Sequence, residues 1–162
     1  MTSLFVSIFS LFGISLMQAD DASIVTRHDN VWIASQPTEA DLDDWAAQGA
    51  LVVINSRTPQ ETAGLPFDYR HAVESRGMQY VEMPIGGTSG ANPQHASDLA
   101  SILDETDGPV VMHCRSGTRS AHLYSAYLIS QDPDLTAPFD VFNWSGRRDM
   151  SMVEALTPHP EH

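Results

Sequence analysis

The sequence contains no lysine, so its strongly basic side chains are eight arginines, against 21 aspartates and glutamates. The formal net charge at pH 7 is therefore −13. A surface of this sign repels the phosphates of nucleic acids and anionic membranes, and we expect neither as a partner. A small anionic or phosphorylated substrate must then be bound by a local positive site that works against the overall field.

Cysteine is nearly absent as well, because Cys114 is the one thiol among 162 residues. A single cysteine excludes an internal disulfide and leaves no cysteine cluster for a structural zinc ion. The seven histidines include no HxxxH or HxH pair, so the sequence predicts no metal and no other cofactor. No repeat or low-complexity tract interrupts the chain, and its length and apolar fraction of 42% suit one domain.

The N-terminal segment differs from the rest of the chain, since residues 4–17 are apolar and carry no charged side chain. This run is shorter than the ~20 residues that span a bilayer as a helix, and it resembles the core of a signal peptide with cleavage after Ala19. We therefore predict a signal peptide at residues 1–19 and a periplasmic or secreted domain at residues 20–162. The alternative is a cytoplasmic protein whose N-terminal segment packs on the domain.

Predicted strands and helices alternate along the remaining sequence. β-Branched and aromatic runs predict strands, the first two of them around a turn at Asp29–Asn30. The strand regions are 23–35, 51–55, 78–84 and 109–113. Capping residues and glycines delimit the helices, which are predicted at 39–48, 68–76, 93–105 and 120–130. One or two short helices are expected after residue 132, and segments 56–66 and 86–92 are predicted loops. This order is typical of an α/β domain with a largely parallel sheet flanked by helices.

Ligands of such domains bind beyond the carboxyl ends of the strands, and His113–Cys114 stands at that end of a predicted strand. The loop that follows, Arg115–Arg119, is mostly small or flexible, and Gly117 permits the positive φ that turns its N–H groups inward. A predicted helix begins directly after the loop, and a helix N-terminus favours an anion. The sequence therefore predicts an anion site that also favours the thiolate of Cys114.

The candidate catalytic residues are Cys114, as a thiolate nucleophile, and Arg119, whose planar guanidinium can bind two oxygens of a tetrahedral anion. Nearby cations are expected to favour the thiolate, and His113 is a candidate for one of them. Ser120 is predicted to hydrogen-bond the sulfur. The full set of supporting candidates is His113, Arg115, Ser116, Gly117, Thr118 and Ser120.

Structural roles for several of these residues stay open. A lone cysteine after an apolar run is usually a small buried hydrophobe, although the polar stretch after Cys114 favours a functional one. His113 can hold the loop by a hydrogen bond, and Arg115 can point to solvent. His122 and the neighbouring tyrosines lie on turns of the last long helix and are interpreted as packing residues.

At these residues the sequence resembles the cysteine-dependent protein tyrosine and dual-specificity phosphatases, whose signature is HC-x-x-G-x-x-R-S/T. It resembles more closely the phosphatase-like domain of the beta-lactamase hydrolase-like proteins. The shared landmarks are Gln36-Pro37, the VINSR strand end within 52–57, Glu61, YVEMPI at 80–85 and PVVMHCRSGTRS. They cover about residues 24–130. The resemblance implies a protein tyrosine phosphatase-like fold, with Cys114 as nucleophile and Arg119 as anion binder.

Two departures from the phosphatase signature keep the activity open. The signature has one residue more between cysteine and arginine than the four found here, and the shorter loop also resembles that of rhodaneses, which carry a persulfide. Phosphatases of this type also carry an aspartate general acid on an earlier loop, whereas the corresponding loop here, residues 84–90, contains no carboxylate. The candidate substitutes are Glu61, Asp68, Glu82, His95 and Asp98.

The sequence thus supports three functions. The first is a phosphatase-like hydrolase that forms a phosphocysteine on Cys114. The second is a rhodanese-like sulfurtransferase that carries a persulfide on Cys114, a reaction whose leaving groups need no general acid. The third is a catalytically inactive module that binds an anion or a partner protein. The oligomeric state is not indicated.

Overall fold

The computed structural model of the chain describes residues 23–159, so the predicted signal peptide lies outside the described residues. Five strands form one sheet: β1 (Ile24–His28), β2 (Val31–Ala34), β3 (Val52–Asn55), β4 (Gln79–Glu82) and β5 (Val110–His113). Their order is β1-β2-β5-β3-β4, and every neighbouring pair is parallel except the β1–β2 hairpin. The predicted α/β fold with a central, mainly parallel sheet flanked by helices is confirmed.

Seven α-helices connect and follow these strands in the described part of the chain. They are α1 (Glu39–Ala47), α2 (Pro59–Ala63), α3 (Tyr69–Glu74), α4 (Gln94–Glu105), α5 (Thr118–Gln131), α6 (Pro138–Val141) and α7 (Met150–Leu156). The four longer predicted helices and the short helices of the tail are present. Helix α5 begins two residues before its predicted start, because Gly117 and not a later residue is its N-cap.

The prediction of a continuous loop at 56–66 is wrong, because α2 forms within it. The Thr58 side chain accepts from the backbone N–H of Glu61, and the Glu61 carboxylate accepts from the backbone N–H of Thr58. Pro59 occupies the first turn, where its missing N–H costs nothing. This reciprocal capping box starts a helix too short to show apolar periodicity in the sequence.

Strands β2, β3 and β5 are buried on both faces, which explains their unbroken apolar sequences. Along β5, Val110 and Met112 face a core built with helices α4 to α7, whereas Val111 faces a core built with α1 and α3. No helix within residues 23–159 has the length and apolar character needed to cross a membrane.

The sheet order places the end of β5 between the ends of two parallel neighbours. His113 is in register with Ala34 of β2 and with Asn55 of β3. The N–H of Gln36 donates to the carbonyl of Arg115 at 3.1 Å, and the N–H of Ser56 donates to the carbonyl of His113 at 2.8 Å. The segments that leave β2 and β3 therefore border the cysteine loop.

Candidate active site

Cys114 follows β5 directly and is only 1% exposed. The loop after it leads into α5, whose N-cap Gly117 supplies no capping side chain. Within residues 23–159, no acceptor is found for the peptide N–H groups of residues 115–119. These groups and the positive end of the α5 dipole are available to an anion, and the anion site itself stays a prediction.

Gly117 is required at its position for two reasons. Its φ is +87°, in the left-handed region, and its backbone lies close to neighbouring atoms. A Cβ atom there would stand 3.2 Å from the carbonyl oxygen of Ala34 and 3.2 Å from Cη2 of Trp144. A larger residue would therefore strain the loop between Cys114 and Arg119.

Arg119 is held from one side by Glu61. Its Nη1 donates to Glu61 Oε2 at 2.7 Å and to the carbonyl of Ile85 at 3.2 Å, and its Nη2 donates to Glu61 Oε1 at 2.8 Å. In the described part of the chain, no oxygen accepts from Nε–H or from the second Nη2 hydrogen. Among the described residues, one two-donor edge of the guanidinium therefore has no oxygen partner.

The charge of Arg119 is stabilised by its neighbours. The Glu61 hydrogen bonds raise the pKa of the guanidinium most, desolvation opposes them, and the charge and hydrogen-bonding capacity of the Cys114 side chain raise the pKa further. The side chains of Arg119 and Cys114 thus lie near enough to interact. This pair matches the predicted arrangement, although the catalytic role of each residue stays a prediction.

Glu61 is fully ionised at neutral pH. Its pKa is lowered to about 2, first by the hydrogen bond from Arg119 and further by the backbone of Thr58, against the opposing effect of desolvation. Arg57 adds a second positive charge, with its Nε 3.7 Å from Oε1. The suggestion that Glu61 replaces the missing general acid is therefore wrong, because a carboxylate of this pKa holds no proton to give. Its role is to position Arg119.

The other suggested general acids have partners elsewhere. Asp68 caps α3 through the N–H of His71, and Asp98 accepts from Gln94. Glu82 accepts from Tyr80, and His95 hydrogen-bonds the carbonyl of Pro84. None of these four side chains lines the pocket beside Arg119.

His113 is neutral and structural. Burial lowers its pKa to about 4, against a raising hydrogen bond with the Cys114 backbone. Tyr69, whose own pKa is raised by burial, donates its hydroxyl to Nε2 at 2.7 Å, and the Nδ1–H donates to the Cys114 carbonyl at 3.2 Å. The expectation that His113 adds positive charge beside the thiol is therefore wrong. Its predicted alternative, a hydrogen bond that holds the loop, is what the structure contains.

The remaining candidates divide between the loop surface and its interior. Arg115 is exposed, and the hydroxyls of Ser116 and Thr118 lie 3.1 Å apart. Ser120 is buried, but its Oγ donates to Ser56 Oγ at 3.4 Å and not to the sulfur as predicted. The contact exists because the parallel β3 strand delivers Ser56 to the same edge of the sheet as the cysteine loop.

A pocket of about 300 Å³ adjoins Arg119. It is lined by Gly87, Thr88, Thr118, Arg119, His122, Arg147, Asp149 and Met152. The last three residues come from the C-terminal segment and were not predicted as site residues. The signal that could have found them is the Arg147-Arg148 pair, which is unusual in a chain so poor in cations. His122, interpreted from the sequence as a packing residue, contacts Phe139 and also lines this pocket.

The strand–cysteine–loop–helix unit on a parallel sheet is the arrangement of the protein tyrosine phosphatase fold, and solved structures share it. The active form of Tk-PTP is similar with a TM-score of 0.63 and 21% identity, over 80% of this chain and 90% of that chain. PTPMT1 is similar with a TM-score of 0.64 and 19% identity, over 82% and 90%. The fold of the protein is therefore that of the protein tyrosine phosphatases.

The sequence model of the beta-lactamase hydrolase-like protein, phosphatase-like domain, matches residues 21–132. The chain belongs to this family, which confirms the resemblance drawn from its motifs. It is 32% identical over 102 residues to the beta-lactamase hydrolase-like protein of Agrobacterium fabrum, covering 62% of this chain and 23% of that protein. A Xylella fastidiosa relative is 30% identical over 104 residues, covering 63% and 24%. The chain thus spans about a quarter of the length of these relatives.

Proposed function

We propose that the protein hydrolyses phosphate esters through a phosphocysteine formed on Cys114. The observation that carries this proposal is the hydrogen bonding of Arg119. Glu61 accepts two hydrogen bonds from one edge of the guanidinium, and the other edge has no oxygen partner among the described residues. The guanidinium also interacts with the Cys114 side chain. The unpaired N–H groups of residues 115–119 add donors in the same loop. Preorganised donors of this kind stabilise the charge that develops on the oxygens of a phosphoryl group in transfer.

The reaction has two steps. In the first, the Cys114 thiolate attacks phosphorus, the bond between phosphorus and the ester oxygen breaks, and the alcohol leaves as its anion and takes a proton from water. In the second, water attacks the phosphocysteine, the sulfur–phosphorus bond breaks, and inorganic phosphate and the thiolate are released. Arg119 and the loop N–H groups hold the phosphoryl oxygens throughout.

The choice of substrate follows from the missing acid. General acid assistance is typically worth about 10²–10⁴-fold, and the loop at 84–90 offers no carboxylate while Glu61 stays ionised. Esters with good leaving groups, such as aryl phosphates, are therefore expected to react far faster than alkyl phosphates. A structural neighbour, PTPMT1, has been solved in complex with PI(5)P, which supports a phosphorylated ligand for this fold.

Sulfur transfer is the second candidate, and two observations favour it. The loop between Cys114 and Arg119 has four residues, one fewer than the phosphatase signature, the loop at 84–90 contains no carboxylate, and Glu61 is ionised. In that reaction Cys114 takes the outer sulfur of thiosulfate and releases sulfite. An acceptor such as cyanide then removes this sulfur and leaves the thiolate. A module that binds an anion without turnover would perform neither reaction.

The two reactions are separated by assaying one preparation for both. We expect phosphate release from an aryl phosphate, inhibition by vanadate and no activity in Cys114→Ser. Mass spectrometry of the quenched reaction should then find a phosphoryl group on Cys114. Thiocyanate from thiosulfate and cyanide, with one extra sulfur atom on Cys114, would replace the phosphatase proposal by sulfur transfer. Neither product, with phosphate affinity kept in Cys114→Ser, would identify a binding module.

A further inference from the structure

The pocket beside Arg119 has a wall that lies outside the family match. Residues 144–152, which we call the C-terminal wall, follow the matched region of 21–132. They contribute three of the side chains that line the pocket: Arg147, Asp149 and Met152. Part of the pocket lining therefore comes from residues that the family match does not cover.

Trp144 fixes the C-terminal wall against the cysteine loop. It is 3% exposed, and its ring packs so closely on Gly117 that a Cβ atom there would stand 3.2 Å from it. Its Nε1 donates to the carbonyl of Arg147 at 3.0 Å. A Cβ atom on Gly146 would stand only 2.5 Å from the same ring, so the ring packs even more closely on the turn before Arg147. The backbone of Arg147 is thus held in place by the tryptophan that supports the cysteine loop.

His122 makes a second connection between the wall and the loop. Its Nδ1–H donates to the carbonyl of Thr118 at 2.6 Å, and its Nε2 accepts from the backbone N–H of Asp149 at 2.9 Å. The bond from Asp149 requires the neutral ring with its proton on Nδ1, and burial lowers the pKa of His122 in agreement with this state. These two hydrogen bonds join the wall to the first turn of α5.

Arg147 keeps most of its donors for a ligand. Its side chain is 77% exposed and, among residues 23–159, makes one ion pair, to Asp149 at 3.2 Å. The Asp149 carboxylate is also engaged by Ser151, whose Oγ donates to Oδ1 at 2.6 Å. A guanidinium has five N–H donors, and this pair uses one. The next residue, Arg148, has its charge committed elsewhere, to Asp140 and to the carbonyl of Trp144, and does not line the pocket.

We propose that Arg147 forms a second oxyanion subsite and that the substrate carries a phosphate or carboxylate group on the part that leaves. The proposal rests on the phosphatase function above. Its physical basis is the placement of two arginines in one pocket of a protein with a net charge of −13. A substrate with two anionic groups is repelled by the surface as a whole, and the second arginine provides the local attraction that retains it.

The test compares three aryl esters: phenyl phosphate, 3-carboxyphenyl phosphate and benzene-1,3-diol bisphosphate. The preference is the kcat/KM of each compound with a second anionic group divided by the kcat/KM of phenyl phosphate. Differences in leaving-group reactivity therefore cancel when the preferences of two protein variants are compared. In Arg147→Gln we expect the preference to fall about fivefold, the scale of an exposed ion pair. The matched control, Arg148→Gln, removes the same charge from the adjacent residue and should keep the preference. The probe with the larger loss identifies the second group as carboxylate or phosphate.

An unchanged preference in Arg147→Gln, or an equal loss in both variants, would overturn the subsite. If no ester releases phosphate, the proposed function fails while the subsite can still be judged. In that case the affinities of the same three compounds for Cys114→Ser are measured by calorimetry, with and without Arg147→Gln. The subsite is supported if Cys114→Ser binds the two doubly functionalised compounds more tightly than phenyl phosphate and if Arg147→Gln removes this preference. It is refuted if Cys114→Ser, with Arg147 intact, shows no such preference.

Discussion

Replacing Glu61 by glutamine tests the positioning of Arg119 most directly. The change keeps the shape of the side chain and its capacity to cap α2, since glutamine also serves in a capping box. It removes the negative charge and one of the two acceptors that hold the guanidinium at 2.7 and 2.8 Å. The variant therefore isolates the charged part of the Glu61–Arg119 contact.

The size of the effect follows from the pKa of Glu61, which drops from 4.5 to about 2 on folding. At about 1.4 kcal/mol per pKa unit, a fully buried group would contribute roughly 3 kcal/mol. The Glu61 side chain is 32% exposed, and solvent screening reduces the expected loss to about 1–2 kcal/mol. Because the folded pKa is depressed, this stability is fully present above pH 4.5 and is lost as the pH falls from 4.5 towards 2.

The measurement is urea unfolding of wild-type protein and Glu61→Gln at pH 7 and pH 3. The difference in unfolding free energy should shrink by more than half at pH 3, since the unfolded carboxyl is mostly protonated there. Glu74→Gln is the matched control, because the Arg70–Glu74 pair is about half exposed on both sides and should contribute under about 0.5 kcal/mol. A difference for Glu61→Gln that is equal at both pH values, or no larger than that of the control, would refute the reasoning.

Three further predictions concern the cysteine loop. Arg119→Lys keeps the charge but loses the two-donor edge, so kcat/KM for an aryl phosphate should fall about 10²-fold; near-normal kinetics would remove the anion-binding role. Gly117→Ala should lower the unfolding free energy by about 1–3 kcal/mol in urea titrations, because of its φ and its close contacts, whereas Gly90→Ala, with open space around it, should change little; equal effects would contradict the strain. Tyr69→Phe should cost about 1–3 kcal/mol by leaving His113 Nε2 buried without a donor, and an unchanged melting temperature would show that this bond is dispensable.

The sequence predicted the parts of the fold that depend on local pattern. The apolar runs of β3 and β5 marked buried strands, and the helix predicted at 39–48 begins as predicted, after a capping box of Thr38 and Asp41. Helix α2 was missed because five residues are too few for periodicity, although Thr58 and Glu61 carried its capping signal.

By itself, the sequence determined the family, the alternation of strands and helices, and the position of the lone thiol between a strand and a helix. Each of these features depends on patterns of residues that are adjacent in the chain. Only the tertiary structure decided what surrounds that thiol. Glu61 reaches Arg119 across 58 residues because β3 lies beside β5 in the sheet. His113 is neutral because packing buries it, and Arg147 joins the pocket because Trp144 and His122 hold its segment. These properties depend on contacts between distant elements, which no local pattern records.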